Sequence, residues 1–426
     1  MIVTFADMIR HRRSNLELTM DKLAEKASIR KSTISKIENG EVRKPEYKTI
    51  KSLAEALDIS YDDYIGIYIS LERNAEVMLD ILQEAISTSK SIFLITDIAT
   101  KYLELPHLDS YDAIKQMFIT ANHVNDTSIR FALFKTITKY SRSHGVMPFI
   151  AQGMYKTYMI ERNDFTQLEN SYQTGKSVLS YADFLNEDDQ IIFYFSLANH
   201  SYSLLRYNDC LDYCKIVSEI DQTNSQYRAH VTFLMCNCHY YLKNYETSKM
   251  FLAEYNNYSF EFVQGNVNFM TGCINGRSGK VDLGIQQLEQ YLKVTSEFNL
   301  VYVVTMLLEL YLIKCDLGAS RRLLEYEVAM KDSLIDKYTT PDKKARMAYF
   351  YQLAGNALVS QDVEVAFDFY LKSASKYMEI GLYDNALKSV VLINEAILED
   401  HSRLSIEVVR KMNEIYKQII SKKINE

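Results

Sequence analysis

Residues 19–40 read TMDKLAEKASIRKSTISKIENG, and their pattern predicts a helix, a tight turn and a second short helix. Thr19 is placed to cap the first helix, with Leu23, Ala24 and Ala27 on its inner face. Ile34 and Ile37 anchor the second, and Asn39-Gly40 stops it, because glycine accepts a left-handed cap. Between the anchors lie Lys31, Ser32, Ser35 and Lys36, polar and outward-facing. Small polar groups approach base edges, while cations meet phosphates. The DNA-facing set read from this region is Arg30, Lys31, Ser32, Ser35, Lys36, Asn39, Arg43 and Lys44.

Over Phe5 to Tyr64 the chain resembles the Cro/phage-repressor type of helix-turn-helix domain. The matching residues are Ile9-Arg10, Leu23-Ala24, Lys31-Ser32-Thr33-Ile34-Ser35, Ile37-Glu38-Asn39-Gly40 and Leu53-Ala54-Glu55-Ala56-Leu57. The resemblance implies an ion pair between Arg10 and Glu38. Three positions depart from the pattern. Met20 stands where a DNA-touching glutamine is common, Ser28 replaces the turn glycine, and Arg30 replaces a capping serine.

Charge is distributed unevenly along the chain. The 426 residues carry a net −7, yet Arg10 to Lys51 holds 12 Lys/Arg against 6 Asp/Glu, leaving −13 on the remainder. A basic head on an acidic body fits nucleic-acid binding confined to one end. No apolar run approaches the roughly 20 residues that span a bilayer, and the N-terminus lacks a signal-peptide pattern. A cytoplasmic location is expected.

Beyond residue 64 the sequence reads as helix without strand blocks, and helical pairs recur. Tyr207, Tyr245, Val281, Leu317 and Val363 align as starts of the second helix of a pair, at intervals of 38, 36, 36 and 46 residues. Three residues later stand Cys210, Ser248, Gly284, Ser320 and Ala366, and nine earlier Ala198, Cys236, Gly272, Leu308 and Ala354. Seven later come the larger Cys214, Leu252, Leu288, Leu324 and Tyr370. Small residues at matched points let paired helices pack closely, a register that resembles tetratricopeptide repeats. The expected fold is all-α: a helix-turn-helix domain over 1–66, connecting helices over 67–106, and a tetratricopeptide-like right-handed α-solenoid over 107–426. Six to nine helical pairs would present a concave face. The Leu404 to Ile420 helix, ending the stack, is a candidate dimer interface.

The first helix of each pair should line that concave face. Asn199 and Asn237 both precede their repeat's tyrosine by eight residues, so they project from equivalent points. An Asn amide offers donor and acceptor together, which suits it to the backbone of an extended peptide. Phe195, Tyr202, His230, Phe233, Tyr240 and Phe269 are placed on the same face. Glu309 occupies the equivalent point two pairs on, and Asn356 lies one residue past it in the later pair. The 32 tyrosines, against no tryptophan, supply apolar area with a hydrogen-bonding tip.

Combining such a head with such repeats, the chain resembles the RRNPP peptide-pheromone receptors of Gram-positive bacteria. The resemblance covers the whole chain in architecture and residues 5–64 by specific motif. It implies a cytoplasmic homodimer binding double-stranded operator DNA, with a short signalling peptide in the concave groove. Two other readings stay open: a repeat protein that captures a response regulator or other protein, and a helical scaffold that tethers an unrelated partner to DNA.

Chemistry-bearing motifs do not compete with this reading. The six cysteines include Cys210 and Cys214 at i, i+4, and Cys236 and Cys238 ahead of His239. A lone CxCH lacks the second pair of a structural zinc site, and its cysteines point to different sides of a helix. The glycines from Gly272 to Gly284 lack a Gly-Lys-Ser/Thr end, and the histidines show no HExxH spacing. No enzymatic activity, cofactor or metal is expected.

Overall fold

The computed structural model describes residues 4–88, 91–336, 339–400 and 405–425. All regular structure among them is helical, in two compact units, Met1–Ile160 and Glu161–Glu426. The expected bounds at 66 and 106 both fall inside the first unit.

The first unit opens with α1 (Phe5–Asn15), α2 (Met20–Ala27), α3 (Lys31–Glu38), α4 (Tyr47–Leu57) and α5 (Tyr61–Leu71). The helices α6 (Ala75–Thr88), α7 (Ile92–Leu103), α8 (Ser110–Asn122), α9 (Thr127–His144) and α10 (Met147–Glu161) follow. Thr19 caps α2 by accepting the Lys22 N–H at 3.3 Å, and α3 begins at Arg30 without a side-chain cap. Ser28 turns the chain between them in the left-handed region, φ +54°. Leu23, Ile34, Ile37 and Leu53 are fully buried, and their core continues through Tyr68, Ile81 and Ile95 to Phe149. The head therefore shares one apolar core with the helices that follow it, and burying those side chains drives the association.

The second unit contains α11 (Leu168–Val178), α12 (Glu187–Ser203), α13 (Tyr207–Ile220), α14 (Gln226–Tyr241), α15 (Tyr245–Tyr255), α16 (Val263–Arg277) and α17 (Val281–Leu292). After these come α18 (Leu300–Ile313), α19 (Leu317–Arg322), α20 (Glu327–Asp332), α21 (Pro341–Leu358), α22 (Val363–Met378), α23 (Tyr383–Glu399) and α24 (Ile406–Asn425). The five residues aligned from sequence begin α13, α15, α17, α19 and α22. Leu404 lies outside the described residues. The 46-residue interval has a visible cause: α19 is cut short, and α20 is inserted before the next pair.

Packing explains the register. Cys210, Ser248, Ser320 and Ala366 are fully buried, as are Ala198, Cys236, Leu308 and Ala354. At the crossing of α16 and α17 backbone meets backbone: a Cβ on Gly284 would stand 2.5 Å from the Gly276 backbone and 2.8 Å from the Gly272 carbonyl. Leu324, expected among the larger packing residues, is only half-buried.

One regularity is invisible to periodicity. The turn inside four pairs carries a left-handed residue two positions before the second helix, at Leu205, Lys243, Gly279 and Cys315, and Gly381 stands likewise before α23, with φ between +58° and +98°. The following N–H reaches back across the turn, from Arg206 to Ser201 O (2.8 Å), Asn244 to His239 O (2.8 Å) and Asp316 to Tyr311 O (2.9 Å). That 6→1 bond satisfies an otherwise orphaned carbonyl at the helix end.

Candidate functional site

On the head, Arg30, Lys31, Ser32, Lys36, Asn39 and Arg43 are exposed, and Ser35 is half-exposed beside Asn39. They share the outward face of α3 and the loop after it. Lys31 pairs with Asp21 at 2.8 Å, but both ends are solvated, 56% and 73% exposed, so a DNA group competes at little cost. Lys44, also read as DNA-facing, is paired with a buried carboxylate. Its Nζ lies 2.6 Å from Glu72, whose side chain is 2% exposed, and the same carboxylate accepts the Arg73 and Asn74 N–H groups at 2.7 and 2.8 Å. Burial opposes the charge on Glu72, yet these donors hold its pKa below the ordinary carboxylate value.

The expected Arg10–Glu38 ion pair needs correction. Arg13 takes the Glu38 carboxylate in a two-pronged contact, Nε–Oε1 2.7 Å and Nη2–Oε2 2.8 Å. Arg10 instead donates to the Glu38 backbone carbonyl. One helical turn separates the two arginines, so both reach the end of α3, and only Arg13 meets the carboxylate plane.

In the second unit a cavity of about 560 Å³ opens against the first helices of successive pairs. Asn199, Tyr202, His230, Phe233, Asn237 and Tyr240 all line it, together with Phe195 and Phe269. The Asn199 amide donates to Phe195 O at 2.8 Å. Asn237 carries no side-chain hydrogen bond among the described residues. His230 stacks on Phe262 with centroids 4.8 Å apart, and burial lowers its pKa. Phe233 stacks on Tyr255 at 4.8 Å, and the Tyr240 hydroxyl contacts Met306 Sδ at 3.2 Å. The lining is therefore aromatic, with amides and a few charges set into it, the composition of a site for a ligand with an apolar body and a polar backbone.

Two residues fall elsewhere. Glu309 lines a smaller adjoining cavity of about 210 Å³, where it accepts from Tyr349 at 2.6 Å and pairs with Arg277 at 3.4 Å. Asn356 lines neither cavity, and its Oδ1 accepts the Tyr370 hydroxyl at 2.8 Å. The reason is angular. One residue past the register turns a helical side chain by about 100°, and the register position itself is Gly355, filled by the Tyr370 ring.

Periodicity missed the charged part of the lining: Arg162, Asp342 and Arg346. Arg346 stands among Ala345, Met347 and Ala348 on α21, and a cation embedded in small apolar residues was the available signal. Five of the six cysteines are buried, and Cys315 is exposed. Cys210 and Cys214 lie 3.9 Å apart, Cys236 meets Ser248, and no metal-holding group occurs among the described residues.

Comparison with known proteins adds the following. Residues 6–66 match the helix-turn-helix domain family. The HTH-type transcriptional repressor RghR of Bacillus subtilis (strain 168) is 41% identical over 59 residues, 14% of this chain and 44% of that protein. The chain thus spans under half the length of that curated relative. Among solved structures, a Rap protein complexed with competence and sporulation factor is 12% identical, covering 78% of this chain and 99% of that one at a TM-score of 0.42. Bacillus thuringiensis PlcR in complex with the peptide PapR7 and DNA is 13% identical, covering 92% and 99%, at 0.25. Yeast Tom70 is 12% identical, covering 96% of each chain, at 0.35.

Proposed function

We propose that this chain is a DNA-binding regulator whose operator binding is controlled by a short peptide held in the second unit's cavity. The premise is the N-terminal helix-turn-helix domain, with its exposed Lys31, Ser32, Ser35 and Lys36. The observation that carries the peptide is convergence. Asn199 and Asn237, chosen by repeat register, line one cavity together with the six aromatic and histidine side chains placed on the same face. A cavity of about 560 Å³ lies within the roughly 300–1,000 Å³ of ligand sites. Spaced amides suit an extended backbone, and aromatic walls suit its side chains.

The resemblance to RRNPP receptors supports the same reading, with a cytoplasmic homodimer placing two heads on two half-sites. Among the described residues no helix is long and apolar enough to cross a membrane. A peptide changes operator affinity only by binding one conformational state better than another, and a tenfold preference supplies about 1.4 kcal/mol. The test is a gel-shift of the full chain on its own upstream DNA, with synthetic C-terminal peptides of small neighbouring open reading frames. A peptide that alters the shift for wild type but not for the Asn199→Ala/Asn237→Ala variant supports the reading. Specific binding that no peptide alters removes the peptide from it.

A further inference from the structure

Arg346 is the one arginine that lines both the larger cavity and the smaller one beside it. Tyr241 and Tyr349 flank its guanidinium, with ring centroids 5.0 and 5.8 Å from the central carbon. Among the described residues the Tyr241 hydroxyl alone accepts a hydrogen bond from it. A guanidinium carries five N–H donors in a planar fork, so most of its donors have no partner among the described residues. Asp342 shares the lining but forms no ion pair with Arg346; its Oδ2 accepts from the Tyr302 hydroxyl at 3.0 Å.

Burial raises the Asp342 pKa above the ordinary carboxylate value, against the opposing pull of Arg346 and the Tyr302 hydroxyl. Asp342 attracts the Arg346 charge without taking up any of its N–H donors. The smaller cavity repeats the imbalance: Lys243, Arg277 and Arg346 face Glu309 and Asp342, and Arg277 is the cation that Glu309 pairs with. A buried guanidinium with spare donors is costly, and an incoming anion that matches its fork relieves that cost.

Resting on the peptide reading above, we infer that Arg346 receives a carboxylate of the ligand, either the peptide's free C-terminus or an acidic side chain, at the junction of the two cavities. The small cavity then fixes the direction and register of a peptide whose backbone Asn199 and Asn237 grip in the larger one.

The test uses the full chain and a randomised heptapeptide library prepared twice, with a free C-terminal carboxylate and as the C-terminal amide. Peptides retained by the protein are identified by mass spectrometry, and their affinities are measured by calorimetry. Binders that weaken with Asn199→Ala/Asn237→Ala define occupants of the cavity. Among these, removing one carboxylate is expected to cost at least tenfold, and Arg346→Met to abolish that difference. Loss on amidation assigns the carboxylate to the terminus, and loss on neutralising Asp or Glu assigns it to a side chain; either supports the inference. Asn-dependent binders indifferent to both changes overturn it while the peptide reading stands. A library without Asn-dependent binders overturns the peptide reading, and this inference with it. The acid-to-amide comparison is made on wild type, so it holds whether or not Arg346→Met folds.

Discussion

Arg13 and Glu38 lock α1 to the end of α3 through two parallel bonds of 2.7 and 2.8 Å, with the glutamate carboxylate 2% exposed. The contact sets the pose of the helix that carries Lys31, Ser32 and Ser35. Removing one partner of a buried pair strands the other charge. Arg13→Ala should therefore destabilise the head by about 3 kcal/mol. Arg10→Ala loses a bond to a carbonyl and should cost only about 1 kcal/mol. Urea denaturation followed by circular dichroism gives the order, and equal costs would contradict the assignment of the pair to Arg13.

Ser28 and Lys243 hold left-handed backbone at φ +54° and +63°, a conformation that costs a side chain roughly 1 kcal/mol. Glycine removes that cost but adds freedom to the unfolded chain. The net expectation for Ser28→Gly or Lys243→Gly is a gain of about 0.5 kcal/mol, read as a small rise in melting temperature. A fall at both positions would contradict it.

Gly284→Ala should be among the most damaging single-methyl changes. The added Cβ meets backbone rather than a movable side chain, at 2.5 Å from Gly276 and 2.8 Å from the Gly272 carbonyl. The helices must separate, at a cost of about 2–3 kcal/mol. Gly66→Ala, with open space around its Cβ, is the control and should leave the melting temperature unchanged or slightly raised.

His200 supplies a pH signature. Burial lowers its pKa to about 4, and its Nε2–H donates to Leu168 O at 2.8 Å. The unfolded imidazole takes up a proton near pH 6.5 while the folded one does not. Its contribution is therefore complete above pH 6.5 and is lost as pH falls toward 4, by up to about 3 kcal/mol. His200→Gln should flatten the decline of stability between pH 6.5 and 4.5 in calorimetric melts, and parallel curves for the two proteins would refute the assignment.

The fold was legible where the signal repeats. Tyr207, Tyr245, Val281, Leu317 and Val363 begin helices because small residues recur at fixed offsets from them, and the same register carried Asn199 and Asn237 into the cavity. It failed where a side chain acts alone. Asn356 missed by one residue, a third of a turn, and Arg346 belongs to no repeated position. Likewise Arg10 and Arg13 stand one turn apart on α1. Sequence places both near Glu38, and only the side-chain geometry tells which one meets the carboxylate.

The central claim is that operator and peptide are thermodynamically coupled through this chain. The most direct measurement is the peptide's Kd by calorimetry, for the protein alone and for its complex with saturating operator DNA. Linkage requires the peptide's affinity to change by the same factor as the operator's affinity changes when peptide is added. Matching factors of tenfold or more are expected, lost in Asn199→Ala/Asn237→Ala. Identical peptide affinities with and without operator would show that the cavity does not govern DNA binding.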